Sequence, residues 1–361
     1  MSSSLAAVFS GTAGQIELQR FAPPAPAAEE TLVRVLGCTL CGSDLHTIEG
    51  RRSTPTPTIL GHEIVGRIEA FGDRSPRRDI AGQPLQLGDR ITWSIVASCG
   101  DCFFCQRGLP QKCVKAVKYG HEAFRPGREL LGGLAEHCLL VPGTAIVKLP
   151  DQLPLETACP ASCATATVAA ALEAAGNLSG RSVCILGAGL LGLTAVAMAH
   201  ARGAAAVLCA EVHPVRRALA TRFGATHAVA PAALAETVST LPQPAGVDVA
   251  LELSGAPAAF EAMLPLMRIG GTIVLVGSVF PAPPVGLSLE QVVRKHLTLR
   301  GIHNYAPQHL LAAVQFLQEN CSRFPFAELL AEWHPLKEID LALQRARDPN
   351  HIRIGIRMDG E

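Results

Sequence analysis

Up to about residue 150, short apolar runs alternate with Gly, Pro and Asp punctuation. Residues 31–36, 64–71 and 90–95 are aliphatic and β-branched and are bounded by turn formers, which predicts strands in a mostly β domain. The polar stretch 75–86, with Pro76 and Pro84, reads as a surface loop. From about Cys163 the texture changes. Apolar runs at 182–186 and 206–211 predict strands, and the Ala-rich stretches 189–202 and 215–223 predict helices. Further strands are expected at 247–253, 271–276 and 297–302. Strands alternating with helices are the pattern of a parallel sheet covered on both faces. Residues 316–361 return to a mixed texture that can fold back onto the first domain. The expected division is 1–165 with 302–361 as one domain and 166–301 as the other.

The chain has 361 residues, enough for two domains or at most three, each with its own core. Apolar residues make up 48% and charged ones 17%, which excludes a disordered, collagen-like or coiled-coil chain. Thirty-one basic residues balance thirty-one acidic ones, so no net field favours nucleic acid or an anionic membrane. Residues 1–9 lack the basic flank and apolar core of a secretory signal. The uncharged stretch 182–199 has roughly the length of a short span, but Gly187, Gly189 and Gly192 mark it as a buried strand–turn–helix. A cytoplasmic protein without a membrane or nucleic-acid partner is expected.

Twelve cysteines in such a chain point to metal or catalysis rather than disulfides. Cys99, Cys102, Cys105 and Cys113 form C-x2-C-x2-C-x7-C. Two-residue spacers let thiolates converge at ~2.3 Å on Zn²⁺, which four of them satisfy in a tetrahedron. No position is left open, so the site is expected to be structural. An iron–sulfur cluster also takes four thiolates, but the loop is polar and no second redox motif accompanies it.

A second set is dispersed. Cys41 in C-G-S-D-L-H, His62 in G-H-E and Cys163 in S-C-A-T-A-T make a Cys/His/Cys combination. Three protein ligands with one position open is the arrangement of catalytic zinc. By residue type alone, ordinary core positions fit these three equally well. Asp44 is placed to accept a hydrogen bond from the distal nitrogen of His62, and Ser43 and His46 can pass a proton to solvent.

The run V-C-I-L-Gly187-A-Gly189-Leu190-Leu191-Gly192 is a predicted strand entering G-x-G-x-x-G and then an apolar helix. Glu211 closes the next predicted strand, at the distance a ribose-binding carboxylate requires. Gly187 makes the turn, Gly189 admits a pyrophosphate to the backbone, and Gly192 packs helix on strand. The anion sits at the helix N-terminus.

Taken in order, C-G-S-D-x-H, G-H-E, the four-cysteine loop, G-G-L-A-E-H, C-A-T-A-T and G-A-G-L-L-G resemble the zinc-dependent medium-chain alcohol dehydrogenases over nearly the whole chain. The resemblance implies an α/β protein: a Rossmann-type, doubly wound parallel-sheet domain beside a mostly β, GroES-like catalytic domain. It implies one catalytic zinc on Cys41, His62 and Cys163, with Glu63 able to visit the metal, and one structural zinc. Ser43 and His46 become a proton relay. Thr167, Arg216 and Arg353 join the glycine turn and Glu211 on NAD, NADP being disfavoured by Glu211, with Arg353 on the pyrophosphate. The implied reaction moves a hydride between an alcohol, or its aldehyde or ketone, and NAD by a zinc–alkoxide mechanism. A homodimer or homotetramer is implied as well.

Polyol-oxidising relatives commonly carry Glu where this chain has Cys163, so the ligand set is closer to simple alcohol dehydrogenases. A non-catalytic NAD(H) sensor on the same scaffold needs no open metal site, and a zinc-free reductase would lack the cysteine loop. Arg52 falls where alcohol dehydrogenases often place an apolar pocket residue. Either Arg51 and Arg52 both face solvent, or Arg52 reaches the pocket mouth and holds an anionic substrate group.

Overall fold

In the computed structural model, which describes residues 3–358, six parallel strands cross one sheet in the order His227–Val229, Ala206–Ala210, Ser182–Leu186, Val247–Glu252, Met267–Leu275, Thr298–Gly301. Strand Ser182–Leu186 lies between Ala206–Ala210 and Val247–Glu252, so the strand order reverses across the sheet there. Ligands of doubly wound folds bind at such a switch point, beyond the carboxyl ends of the strands. The buried faces explain the continuous Val/Ile/Leu/Ala runs: all five side chains of Ser182–Leu186 are buried. This unit comprises Thr167–Tyr305 with Ser322–Pro325. The short later segment belongs here because Phe324 stacks on Phe223 and meets the edge of His200.

Two features of this sheet were not expected. The edge strand His227–Val229 is too short to give a pattern. Met267–Leu275 starts earlier than residue 271, because Met267 pairs with Val247 before a bulge lets the regular ladder resume at Thr272.

The other unit comprises Met1–Ala166, Ala306–Cys321 and Phe326–Glu361. Its main sheet runs Ile146–Lys148, Arg90–Trp93, Glu63–Phe71, Thr31–Thr39, Arg353–Arg357, Leu330–Pro335, with His137–Leu140 also paired to Thr31–Thr39. The C-terminal tract thus inserts a strand antiparallel to Thr31–Thr39, with Gly355 opposite Thr39. Gly37 does not end the strand, as its composition suggested, because Trp333 and Leu155 pack directly over it. Trp93 is buried with its ring edge-on to Tyr119 at 6.2 Å, near the middle of this unit's core. Helix Pro307–Asn320, which begins ahead of the mixed tract 316–361 and was not predicted, has proline at its first turn. Among the described residues, no single helix is long and apolar enough to cross a membrane.

The glycines of the first turn of the parallel sheet have separable roles. Gly187 has φ +98°, a left-handed conformation. A Cβ on Gly192 would lie 1.9 Å from the Gly187 carbonyl oxygen, whereas one on Gly189 would meet nothing within 4 Å. Gly192→Ala therefore costs about 1–3 kcal/mol despite alanine's better helix propensity. Gly189→Ala stays within about 1 kcal/mol of the parent. Urea melts of the two variants check this, and equal losses contradict it.

Candidate active site and metal centres

Cys41 immediately precedes helix Gly42–Ile48, His62 precedes strand Glu63–Phe71, and Cys163 follows the turn Cys159–Ser162. Their ligand atoms lie within 4.8 Å of one another. The buried carboxylate of Asp44 draws the first two segments together. It accepts the Cys41 N–H at 2.9 Å and the Gly61 N–H at 3.2 Å, and it stands 3.4 Å from His62 Nδ1. Ser162 links the third: its hydroxyl donates to the His62 carbonyl at 3.1 Å and accepts the Ile64 N–H at 3.3 Å. Asp44, the partner expected for the distal nitrogen of His62, stands at ion-pair distance from Nδ1 without a hydrogen bond, and the opposite nitrogen, Nε2, faces Ser43 Oγ at 3.4 Å.

The electrostatics suit a cation. The hydrogen bond from Cys163, together with Arg353 and His62, holds the Cys41 thiol well below its usual range against the effect of burial. That same pairing, with burial, pushes Cys163 well up. Burial disfavours the imidazolium of His62, yet Asp44 and Cys41 outweigh it and raise the group to about 10. Two sulfurs and an imidazole, fixed before any metal arrives, are a donor set that zinc accepts. His46 lies one turn beyond Ser43 on the same helix, and burial followed by the charge of Arg51 keeps its pKa low, so the ring is neutral near pH 7.

Glu63 and Arg353, both expected at the site, form a buried pair beside Cys41. The Glu63 carboxylate does not join the converging donors. Arg353 grips it through Nε and Nη2 at 3.0 and 3.1 Å, and Thr39 donates to it at 2.5 Å. Arg353, assigned by resemblance to a pyrophosphate, makes its side-chain contacts in the described residues to Glu63, Ile352 and Cys41. Its Nη1 donates to the Ile352 carbonyl, and its Nη2 also lies 3.8 Å from Cys41 Sγ. A planar guanidinium beside a fully buried carboxylate matches it bidentately, and neither partner is easily released.

The four-cysteine loop converges as its spacing suggests. The sulfurs of Cys99 and Cys113 are 3.4 Å apart, those of Cys102 and Cys105 3.5 Å, and all four lie within 4.8 Å. Backbone N–H groups of Cys99 and Lys115 donate to Cys113 Sγ at 3.3 Å. Similar donation from Cys105 and Val114 brings Cys102 down to about 6. Four converging sulfurs with no further ligand position suit a closed zinc site.

In the other unit, Gly189 caps helix Leu190–Ala201 without a side-chain acceptor, so the first-turn N–H groups at Leu190 and Leu191 have none from the cap. The space in front of Gly189 is what a pyrophosphate would use. Glu211 ends its strand as expected, and it also organises the turn: Oε2 accepts the Ala188 N–H at 2.6 Å and Oε1 the His213 N–H at 2.8 Å. Arg217 binds the Glu211 and Val212 carbonyls, while Arg216 and Thr167 are half-buried on their helices. Glu252 was not anticipated. It ends the neighbouring strand and accepts from Ser254 N, Ser254 Oγ and Gly255 N, shaping the loop that packs on Gly187. His121 was missed too. Its ring lies 5.2 Å from that of His62, in a loop whose only signal is the sequence K-Y-G-H.

Residues 27–151 match the alcohol dehydrogenase GroES-like domain and residues 191–319 the zinc-binding dehydrogenase domain. The L-threonine 3-dehydrogenase of Coxiella burnetii is 34% identical over 301 residues, covering 79% of this chain and 80% of that protein. The chain belongs to the zinc-dependent medium-chain dehydrogenase family. The dehydrogenase is also similar in structure to an alcohol dehydrogenase from Thermotoga maritima, with TM-score 0.92 and 27% identity over 99% of this chain and all of the other. An alcohol dehydrogenase from Thermus sp. ATN1 aligns with TM-score 0.85 and 27% identity, over 98% and 99% of the two chains. The GroES-like and Rossmann-type architecture expected from the motif order is thereby shown.

Elemental analysis of this dehydrogenase should give two zinc ions per chain, one lost to mild chelation and one retained by the cysteine loop. A single zinc per active chain contradicts this. Asp44→Asn should weaken the removable zinc by about 10- to 100-fold, the usual effect of losing a ligand's supporting acceptor. Competition with a chromophoric chelator measures it, and unchanged affinity contradicts the role given to Asp44.

Proposed function

We propose that the protein is an NAD-dependent zinc alcohol dehydrogenase that interconverts an alcohol and its aldehyde or ketone. The convergence of Cys41, His62 and Cys163 within 4.8 Å, with Ser43 Oγ beside the histidine, carries this reading. Zinc on these three side chains supplies Lewis acidity toward an alcohol oxygen, and NAD supplies the hydride acceptor. Asp44 keeps the His62 ring oriented and its Nδ1 engaged, leaving Nε2 for the metal. Ser43 accepts the hydroxyl proton of the substrate and passes it toward His46, whose neutral ring can take it up and release it to solvent. Arg353 and Glu63 neutralise each other beside Cys41 and hold the strand Arg353–Arg357 against the ligand-bearing segment. Thr167 and the first turn at Gly189–Leu191 position the dinucleotide.

The curated relatives act, by name, on L-threonine, whose reacting group is a secondary alcohol, and L-threonine therefore belongs on the substrate panel. The decisive assay follows NADH absorbance with the zinc-loaded enzyme and primary, secondary, cyclic and anionic alcohols. No turnover of any of them contradicts the reading. Ser43→Ala should lower kcat by about 10²-fold or more without loss of zinc. The working form is a cytoplasmic homodimer or homotetramer, joined through the exposed edge strand Thr298–Gly301. Light scattering at the monomer mass of 37.9 kDa contradicts that assembly.

NAD⁺ should be preferred over NADP⁺, because Glu211 repels a 2′-phosphate and accepts from the free ribose hydroxyls. Arg216 and Arg217, on the following helix, blunt the preference without reversing it. Glu211→Ala should narrow the gap in kcat/KM. Equal kcat/KM for the two coenzymes in the parent enzyme contradicts the assignment.

A further inference from the structure

Two cations on segments that border the Cys/His/Cys set have no carboxylate partner among the described residues. Arg51 and Arg52 diverge: Arg51 is exposed and pairs with Glu49, whereas Arg52 is half-buried. Lys118, also half-buried, ends the short strand Val117–Lys118, which is paired to Val96–Ala97. The segments carrying the two are tied together, since Thr54 Oγ1 donates to the His121 carbonyl at 3.4 Å. His121 in turn packs its ring on that of His62 with centroids 5.2 Å apart, and its N–H donates to the Lys118 carbonyl at 3.0 Å, so the segments carrying both cations border the Cys/His/Cys set. The carboxylates nearby are already committed. Glu49 serves Arg51 and Arg347, Glu122 accepts the backbone N–H of Lys118, and Asp44 faces Cys41, Gly61 and His62. Among the described residues, neither Arg52 nor Lys118 takes part in an ion pair.

This arrangement is unfavourable for the protein by itself. Burial, and after it the guanidinium of Arg52, pushes the Lys118 ammonium down to about 8, while the sulfurs of Cys163 and Cys41 pull the other way. Zinc does not supply the missing negative charge, because a divalent ion with two thiolates and a neutral imidazole is electrically neutral. A ligand anion would relieve both cations at once.

We infer that the alcohol handled at this site carries an anionic oxyacid group, a carboxylate or a phosphonate, held by Arg52 and Lys118. The inference rests on the dehydrogenase reading and specifies its substrate class. A guanidinium fork takes two oxygens of such a group, and a flexible ammonium meets the third side.

The test compares 3-hydroxybutyrate, 2-hydroxypropylphosphonate and the neutral methyl 3-hydroxybutyrate in the zinc-loaded enzyme with NAD⁺. The parent should favour one of the two anions over the ester, and which one identifies the oxyacid. Arg52→Leu and Lys118→Met should each lower the anion-to-ester ratio of kcat/KM by about 10- to 100-fold, mainly through KM, as expected for one charged hydrogen bond. Arg52→Lys should recover part of the ratio, and Arg51→Leu should leave it unchanged. Calorimetry with the unreactive butyrate and propylphosphonate provides a reading independent of turnover, with binding to the parent and loss in both variants. If the ratio does not move, or neither anion binds, the anion site is overturned while the dehydrogenase reading stands. Anion binding that the variants abolish, without turnover of any alcohol, supports the anion site and overturns the dehydrogenase reading.

Discussion

The buried carboxylate of Asp44 is the interaction on which the site depends. Cys41 and His62 come from segments with no local reason to meet. Asp44 sits one helical turn beyond Cys41, takes that residue's N–H with one oxygen, and reaches Gly61 N–H and the His62 ring with the other. A buried anion without partners would be costly, so the fold that satisfies it is the fold that brings the two ligands together. The same contact leaves His62 Nε2 directed at Ser43 Oγ, on the side where the two cysteine sulfurs converge. Stability and ligand geometry are here one constraint.

The Glu63–Arg353 pair has a parallel role over a much longer stretch of sequence. It joins the strand that follows His62 to the C-terminal strand, and both flank Thr31–Thr39 in one sheet. Such a pair contributes little net stability, since desolvation offsets most of its attraction. Loss of one partner, however, strands a buried charge at about 3–5 kcal/mol. In the register observed, with Gly355 opposite Thr39, the C-terminal strand presents Arg353 to Glu63 and to Cys41.

Much of the fold was legible because burial on both faces writes itself into continuous apolar runs, as in Ser182–Leu186, and because glycine turns carry steric demands that composition exposes. The Cys41, His62 and Cys163 donor set was legible only through the motif order shared with the family, because by residue type alone the three fit core positions equally well. What remained hidden depended on partners far apart in sequence. Arg353 looked like a coenzyme ligand because nothing local links it to Glu63. His121 and Lys118 sit in a loop with no periodicity, and only the folded chain sets them beside His62 and Arg52. The extension of one parallel strand back to Met267 was equally hidden, since a bulge erases the alternation that marks a strand.

The central claim is that Cys41, His62 and Cys163 hold a metal with one position left for an exogenous oxygen or nitrogen. The most direct measurement replaces the removable zinc by cobalt(II) and follows the visible spectrum during titration with imidazole. The account predicts tetrahedral ligand-field bands with thiolate charge transfer. Imidazole should shift these bands without removing the charge transfer, and Cys163→Ser should weaken it. A spectrum that ignores both imidazole and the Cys163→Ser change would contradict the account.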